Sequence, residues 1–437
     1  PLYFYHGAYR VYPYFIRSRE ILADRINSIR ITLVLHTSAD ALKPETLSTA
    51  IDNWKGSISI GVYFDAERDT MVDIREKMID TFRMLSDASL STTVAVHLLC
   101  RASPELSNPE ERSATYPINV VRNIARQFTT TRFLLIGDMD HLFSVDFERK
   151  MRDLALRTLE IGKKRVLVYR FFEIEEEESV ARNHRIGKDD LRKLLNSDKA
   201  VVFHSMINMT NGHEIPKLEE WMASEEKERT GIFEGHLKYE KREWEPQIVF
   251  TRDAPMHDES FPYRIRNNLA LKRAIRTMMN EMNDYFRFPL ALCPSEKSLT
   301  STFGKWEAHG RFRQVDDIVV GGTEAEAGED LAKNSWDTIT NVTNDKEGYD
   351  DEDEEEETIL RWEMCRAGYE FSLVDDLFVY HRGIVRFGSE CFHKKESARR
   401  INIRRYLPIL TIFKRKMDLL YPSTKDACAI EDESRLY

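Results

Sequence analysis

The first half of the chain alternates short apolar runs with stretches of helical spacing, and few folds accommodate that order. Ile31–Leu35, Ser57–Phe64, Thr93–Cys100 and Arg132–Gly137 read as strands. Between them apolar residues fall at helical intervals up to Trp54, then at Met71, Ile74, Met78, Ile79 and Phe82, then at Ile118, Val121, Ile124, Ala125 and Phe128 behind Pro117. Strand–helix repeats of this kind build an α/β fold, a mostly parallel sheet covered on both faces. Ligands of such sheets bind beyond the carboxyl ends of the strands. The fourth run ends in Gly137-Asp138-Met139-Asp140, at one of those ends.

The second half is less regular. Arg165–Ile174, Ala200–Ile207, Gln247–Arg252 and Glu370–Tyr380 read as further strands, and an acidic–basic helical pattern lies around 216–230. From Leu269 to Glu357 the pattern turns helical, then loop-like, then acidic, which marks an insertion carried by the domain. In the tail, Tyr406, Leu410, Phe413, Met417 and Leu420 share a helical face expected to pack on the sheet, with Pro408 at the helix start. The expected plan is an N-terminal extension over 1–29, a core over 30–268 and 358–420, an insertion over 269–357 with an acidic loop at 345–357, and a tail over 421–437.

Composition narrows the class. A chain of 437 residues, 42% hydrophobic, can bury a sizeable core, and 18 Gly with 14 Pro are too few for a collagen-like or broadly disordered chain. No run approaches the roughly 18 apolar residues of a membrane span. The first residue is Pro1 rather than Met, so any membrane anchor is expected outside these residues. The formal net charge is -10, but ten of the thirteen residues in 345–357 are acidic and one is lysine, which puts -9 in that run. The remainder carries -1 (-10 minus -9) and has no electrostatic reason to seek nucleic acid. The acidic run itself reads as a solvated loop. Cys100, Cys293, Cys365, Cys391 and Cys428 show no paired metal-ligand spacing and leave the redox compartment open. Asn208-Met-Thr and Asn341-Val-Thr would be glycosylation acceptors in a lumenal chain.

Asp138 and Asp140 are the most informative pair. Two carboxylates one residue apart, just past a buried strand, can share a divalent cation, and hard oxygen ligands suit Mn²⁺ or Mg²⁺ on a diphosphate. Such an ion would neutralise a departing nucleoside diphosphate. The helix before them carries Asn119, Arg122, Asn123 and Arg126 on one polar stripe. Alone, that stripe reads as a solvated face; beside the acids, an arginine there could pair with phosphate and an asparagine with a base or ribose. His381, in Phe378-Val-Tyr-His-Arg-Gly383, ends the last clear strand, where its imidazole either completes a metal shell or is structural.

Several segments resemble the LARGE-type glycosyltransferases, glycosyltransferase family 49, a family that includes a β-1,4-glucuronyltransferase of dystroglycan glycan synthesis. They are Thr32-Leu-Val-Leu-His-Thr-Ser-Ala-Asp40, Trp54 with Gly56–Tyr63, and Tyr116-Pro-Ile-Asn-Val-Val-Arg-Asn-Ile-Ala-Arg126 followed by Asp138-Met-Asp140. Val166–Ile174, Gly212-His213 with Trp221, Trp244-Glu-Pro246 with Arg252 and Pro255, and Ala367–Phe371 through His381 continue the resemblance in order over residues 30–265 and 358–420. The resemblance implies a GT-A, Rossmann-like fold, a UDP-sugar donor, Mn²⁺ or Mg²⁺ on Asp138 and Asp140 with His381 as third ligand, and nucleotide contacts from Thr37, Ser38, Asn119 and Arg122. It also implies a glycan or glycoprotein acceptor, and a Golgi lumenal, type II anchored protein whose anchor lies outside these residues.

The chain departs from the family after Asp258-Glu-Ser-Phe261. It reads Pro262-Tyr-Arg-Ile-Arg-Asn-Asn268 in place of a glycine-rich stretch and rejoins the family path near Thr358. Family glucuronyltransferases invert the anomeric centre, so a carboxylate must take the acceptor proton. By position the candidates are Asp258, Glu259 and the acids around Glu363, with Arg252, Arg264 and Arg266 available for a donor carboxylate. The rival expectation is a catalytically inactive GT-A-like domain that binds a glycan or protein through the altered surface. A phosphohydrolase would need a second carboxylate cluster and a nucleophile that the sequence lacks.

Overall fold

The computed structural model describes residues 3–17, 28–64, 76, 79, 83, 94–101, 116–206, 212–239, 244–261, 356–385 and 408–428. Almost all of the 70–86 stripe and of the 269–357 insertion, both glycosylation triplets, Arg264, Arg266 and Tyr406 lie outside the described residues. The described elements, in chain order, begin with β1 (Phe4–His6), β2 (Tyr9–Ile16), β3 (Ser28–Ser38), α1 (Pro44–Trp54), β4 (Ser57–Phe64) and β5 (Val94–Arg101). There follow α2 (Ile118–Gln127), β6 (Thr131–Ile136), β7 (His141–Phe143), α3 (Phe147–Thr158), β8 (Arg165–Ile174), α4 (Glu176–Ala181), α5 (Lys188–Asn196) and β9 (Ala200–Val202). The last are α6 (Leu218–Ala223), β10 (Ile232–Leu237), β11 (Gln247–Thr251), α7 (Glu356–Arg366), β12 (Glu370–Arg382) and helix α8 over 408–420. No helix among the described residues is long and apolar enough to cross a membrane.

The strands form one mixed sheet in the order β1-β2-β5-β4-β3-β6-β11-β8-β12-β10, with β7 on β12 and β9 on β8. β3, β4, β5, β6, β8 and β12 all point the same way, as the strand–helix repeat predicts, and the antiparallel partners sit at the edges and on β11. Along β5-β4-β3-β6 the chain order is third, second, first, fourth. It reverses between β3 and β6, the crevice where such sheets bind ligands. Both faces are covered: Leu33 and Leu35 pack with Leu47 and Trp54 of α1 and Met151 and Leu154 of α3, while Val34 packs with Ala125 of α2.

Helix α2 lies close on β4. A Cβ on Gly61 would stand 2.6 Å from Val121 Cγ1 and 2.7 Å from Val121 O, so only glycine admits the helix at this depth. Ser59 Oγ donates to Ala125 O at 2.6 Å. The polar stripe of α2 is not a solvated face: Asn119, Arg122, Asn123 and Arg126 are each at most 4% exposed.

Three further features depart from the sequence reading. Residues 3–17, expected as an extension, form a hairpin whose β2 pairs antiparallel with β5. The helical pattern at 216–230 yields only the short α6, and β10 follows it. Among the described residues, helix α8, expected to pack on the sheet, packs on α7 instead. Leu410, Phe413 and Met417 bury against Ile359 and Trp362 of α7 and against Phe261, with Cys428 disulfide-bonded to Cys365.

Strand β12 carries a bulge. Leu373 faces Val168 and Phe378 faces Arg170, so β12 spans five positions where β8 spans two, with Asp376 at φ 61°. Asp375 and Asp376 in this bulge meet the fully buried Lys188 Nζ at 3.3 and 3.2 Å, and Lys227 closes the cluster on Asp375.

Candidate active site

The site grows out of strand register. β3 and β6 run parallel with Val34 opposite Ile136, and Gly137 N donates to Val34 O at 3.0 Å, which brings the residues past both strand ends side by side. His36 Nε2 is 2.8 Å from Asp138 Oδ1. From the other direction β12 pairs with β7, setting His381 opposite His141, and His381 Nε2 lies 3.2 Å from Asp140 Oδ2. Asp138 and Asp140 therefore stand at the reversal point of the sheet, between four imidazole and guanidinium side chains.

The electrostatics follow from those neighbours. Burial alone would raise the Asp138 carboxyl, but the His36 hydrogen bond and the charges of His141, His36 and Arg122 hold it far below the usual carboxylate range. Arg122 Nη2 is 3.5 Å from Asp138 Oδ1. Burial also opposes ionisation of Asp140, and His381 and His141 outweigh it, so this carboxyl too is lowered. Burial disfavours charge on His381, yet Asp140 prevails and its imidazole is raised.

Two carboxylates and an imidazole form a hard oxygen-and-nitrogen donor set that fits Mn²⁺ or Mg²⁺. By proximity the group is Asp138, Asp140 and His141, whose donor atoms lie within 4.8 Å of one another. Hydrogen bonding distinguishes the two histidines. His141 Nδ1 accepts from Asp138 N at 3.2 Å, which leaves the ring proton of the neutral form on Nε2, facing Asp138 Oδ2 at 3.8 Å. His381 Nδ1 is 3.1 Å from Gly383 O and donates to it, so Nε2 has a lone pair to offer when neutral. Nearness favours His141; the tautomer favours His381.

The other expected site residues are placed as follows. Thr37 and Ser38 are buried at the end of β3, where Thr37 Oγ1 donates to Ser38 O at 3.1 Å and Ser38 Oγ accepts from Ala41 N at 3.3 Å. Asn119 Nδ2 donates to Asp258 O at 3.0 Å, and among the described residues its buried Oδ1 has no hydrogen-bond partner. Asn123 bonds His257 O at 2.8 Å and Glu259 Oε1 at 2.9 Å, and Arg126 reaches the carbonyls of Arg252, Ala254 and Pro255. The stripe thus clamps the 252–259 segment. Asp258 receives Ser260 N at 3.0 Å and Lys416 Nζ at 3.3 Å, and Glu259 meets His6 Nε2 at 2.7 Å. Both side chains are held in these contacts rather than against the Asp138–Asp140 pair. Arg252 is exposed.

Three residues escaped the sequence reading. His36 and His141 act through register, and their only trace in sequence is their place beside the strand ends. His257 is 4% exposed, and neither ring nitrogen has a hydrogen-bond partner among the described residues. Burial, then Arg122, Arg361, Arg126 and His36, keep it neutral. Beside the site, a cleft of 180 Å³ is lined by Arg170, Phe171, Phe203, His213 and Glu214 among others, and the Phe203 ring centroid lies 6.2 Å from that of His381.

Residues 30–272 match the family described as glycosyl-transferase for dystroglycan. The chain is 24% identical over 256 residues to the xylosyl- and glucuronyltransferase LARGE1 of Homo sapiens, covering 58% of this chain and 29% of that protein. It is 21% identical over 295 residues to beta-1,4-glucuronyltransferase 1 of Danio rerio, covering 58% of this chain and 65% of that one. The chain thus spans less than a third of the LARGE1 protein it matches. Among solved structures, TarS 1-349 of S. aureus aligns over 93% of this chain and 77% of its own at 9% identity, with a TM-score of 0.30, too low to carry an argument.

Proposed function

The chain belongs to the family of glycosyl-transferases for dystroglycan, with an α/β fold of the GT-A type, and from that premise we propose that it is a divalent-cation-dependent, inverting glycosyltransferase. In this reading it moves a sugar, glucuronic acid being the family's suggestion, from a UDP-sugar to a glycan or glycoprotein acceptor. The observation that carries it is the convergence of Asp138, Asp140 and a histidine at the β3–β6 reversal. A divalent ion bound there supplies electrophilic assistance to a departing diphosphate.

The chain's own groups divide the remaining work. Arg122, already 3.5 Å from Asp138, is suited to pair with a phosphate oxygen. Asn119 Oδ1, a buried acceptor without a partner among the described residues, suits a ribose hydroxyl or a base N–H. Thr37 and Ser38 supply the backbone that ends β3 at the crevice. We assign the acceptor's proton to the cluster of Asp258, Glu259 and Glu363. Burial, with Asp258 adding to it against Lys416, raises the Glu363 carboxyl towards the range a base needs. Asn119 and Arg122, one turn apart on α2, tie the Asp258 carbonyl to the same helix that reaches Asp138. The cleft beside His381 is the acceptor side. The Cys365–Cys428 disulfide supports an oxidising compartment, in keeping with a Golgi lumenal protein.

The test is UDP release across a panel of UDP-sugars with Mn²⁺, against an Asp138→Ala/Asp140→Ala control. Hydrolysis of one donor, lost in the control, is the expected result and names the sugar. No turnover together with no Mn²⁺-dependent UDP binding would leave the inactive, glycan- or protein-binding domain, a reading favoured by the ion pairs that hold Asp258 and Glu259.

A further inference from the structure

We propose that Tyr116 and His36 form a buried relay that fixes the Asp138 carboxylate, committing Oδ1 to the protein and Oδ2 to the cation. This rests on the cation-site reading above.

His36 is 2% exposed and Tyr116 5%, so the bond between them is buried, and it leads to the partly exposed carboxylate of Asp138. Tyr116 Oη lies 3.0 Å from His36 Nδ1, and His36 Nε2 lies 2.8 Å from Asp138 Oδ1. The carboxylate has no proton to give, so Nε2 must donate. In its neutral form an imidazole donating from Nε2 accepts at Nδ1, and the Tyr116 phenol O–H stands 3.0 Å away to donate to it. In that tautomer the donors run from Tyr116 to His36 to Asp138. The parts are rigid: His36 is held on β3 opposite Gly61 of β4, and Tyr63 holds the Tyr116 ring edge-on at 5.8 Å between centroids.

Oδ1 also faces Arg122 at 3.5 Å, whereas among the described residues Oδ2 has His141 Nε2 at 3.8 Å. The two oxygens are thus unequal, with Oδ2 the one available beside Asp140. His36 and Tyr116 are positioning residues. They touch neither donor nor acceptor, and they act by removing the rotational freedom that a lone Asp138 carboxylate would retain.

The test is Mn²⁺ uptake in the presence of UDP, read from the electron paramagnetic resonance of free Mn²⁺, with no turnover required. His36→Ala is expected to weaken uptake by roughly 10–100-fold, the usual penalty for losing a ligand's hydrogen-bond partner. His36→Gln, whose amide nitrogen reaches the Nε2 position, is expected to restore most of it. Tyr116→Phe keeps the ring packing and is expected to lose several-fold, and it serves in place of His36→Ala if that variant does not fold. Folded His36→Ala or Tyr116→Phe protein that binds Mn²⁺ within twofold of the parent overturns the relay and leaves the cation site standing. Parent protein that takes up no Mn²⁺ overturns both.

Discussion

At the scale of single residues, charge and hydrogen-bonding state follow from burial more than from residue type. His97 on β5 accepts Tyr14 N at 3.0 Å and stacks on Phe128, and burial pushes its imidazole down to about 3 from an ordinary 6.5. The unfolded chain therefore binds a proton below its own value that the folded chain refuses. Stability falls as pH drops through that window, by up to about 1.4 kcal/mol per pH unit. Urea unfolding followed from neutral pH downward should show this slope, and His97→Asn, whose amide oxygen takes the Nδ1 position and keeps an acceptor for Tyr14 without a titrating group, should flatten it. An unchanged slope would place the acid sensitivity elsewhere. The same contrast explains what was legible in the sequence. Asp138 and Asp140 announce themselves because the pair, common as a bare pattern, falls here after the fourth strand of an α/β repeat. His36 does not, since its meaning is a 2.8 Å contact with a residue far along the chain.

At the scale of elements, periodicity identifies which residues share a face without identifying what that face meets. The apolar stripe of α2 led correctly to its seat on the sheet. The polar stripe looked solvated because Asn and Arg usually are, yet it is buried on the 252–259 segment, with backbone carbonyls as its partners. Seating depth is set at Gly61. Gly61→Ala places a methyl against Val121 Cγ1 and its carbonyl oxygen, so α2 must move outward. An overpacking cost of about 1–3 kcal/mol in thermal unfolding is expected, accompanied by weaker Mn²⁺ uptake because Arg122 and Asn119 travel with the helix. Adding Val121→Ala should recover only part of the loss, since the backbone oxygen stays. Full recovery would show that side-chain crowding alone was at stake.

At the scale of the whole molecule, the α/β plan was readable from strand–helix alternation, and the C-terminal closure was not. Helical spacing after Pro408 showed a buried face but could not say that its partner is α7 rather than the sheet, and five cysteines without paired spacing could not declare a bridge. Arg366 Nη2 donates to Met417 O at 3.1 Å and Tyr421 O at 2.9 Å, Trp362 Nε1 to Cys428 O at 2.6 Å, and the disulfide joins the same two segments across 63 positions. Cys365→Ser with Cys428→Ser is expected to lower stability by about 2–4 kcal/mol. Limited proteolysis should then release residues 408–428 before the sheet is cut. Because Phe261 shares that cluster, and Lys416 pairs with Asp258, loss of the tail should also loosen the segment that carries the proposed base.

The bulge in β12 makes chain length at one place a matter of parity. Its surplus residues are closed by Lys188 against Asp375 and Asp376, out of reach of water, so slack cannot be taken up there as it is in a surface loop. A single codon gained or lost between Leu373 and Phe378 would turn every later side chain of the strand to the opposite face. His381 would then point away from Asp140 although no residue of the site had been substituted. Deletions and duplications in this chain should accordingly be silent in many loops and disabling here.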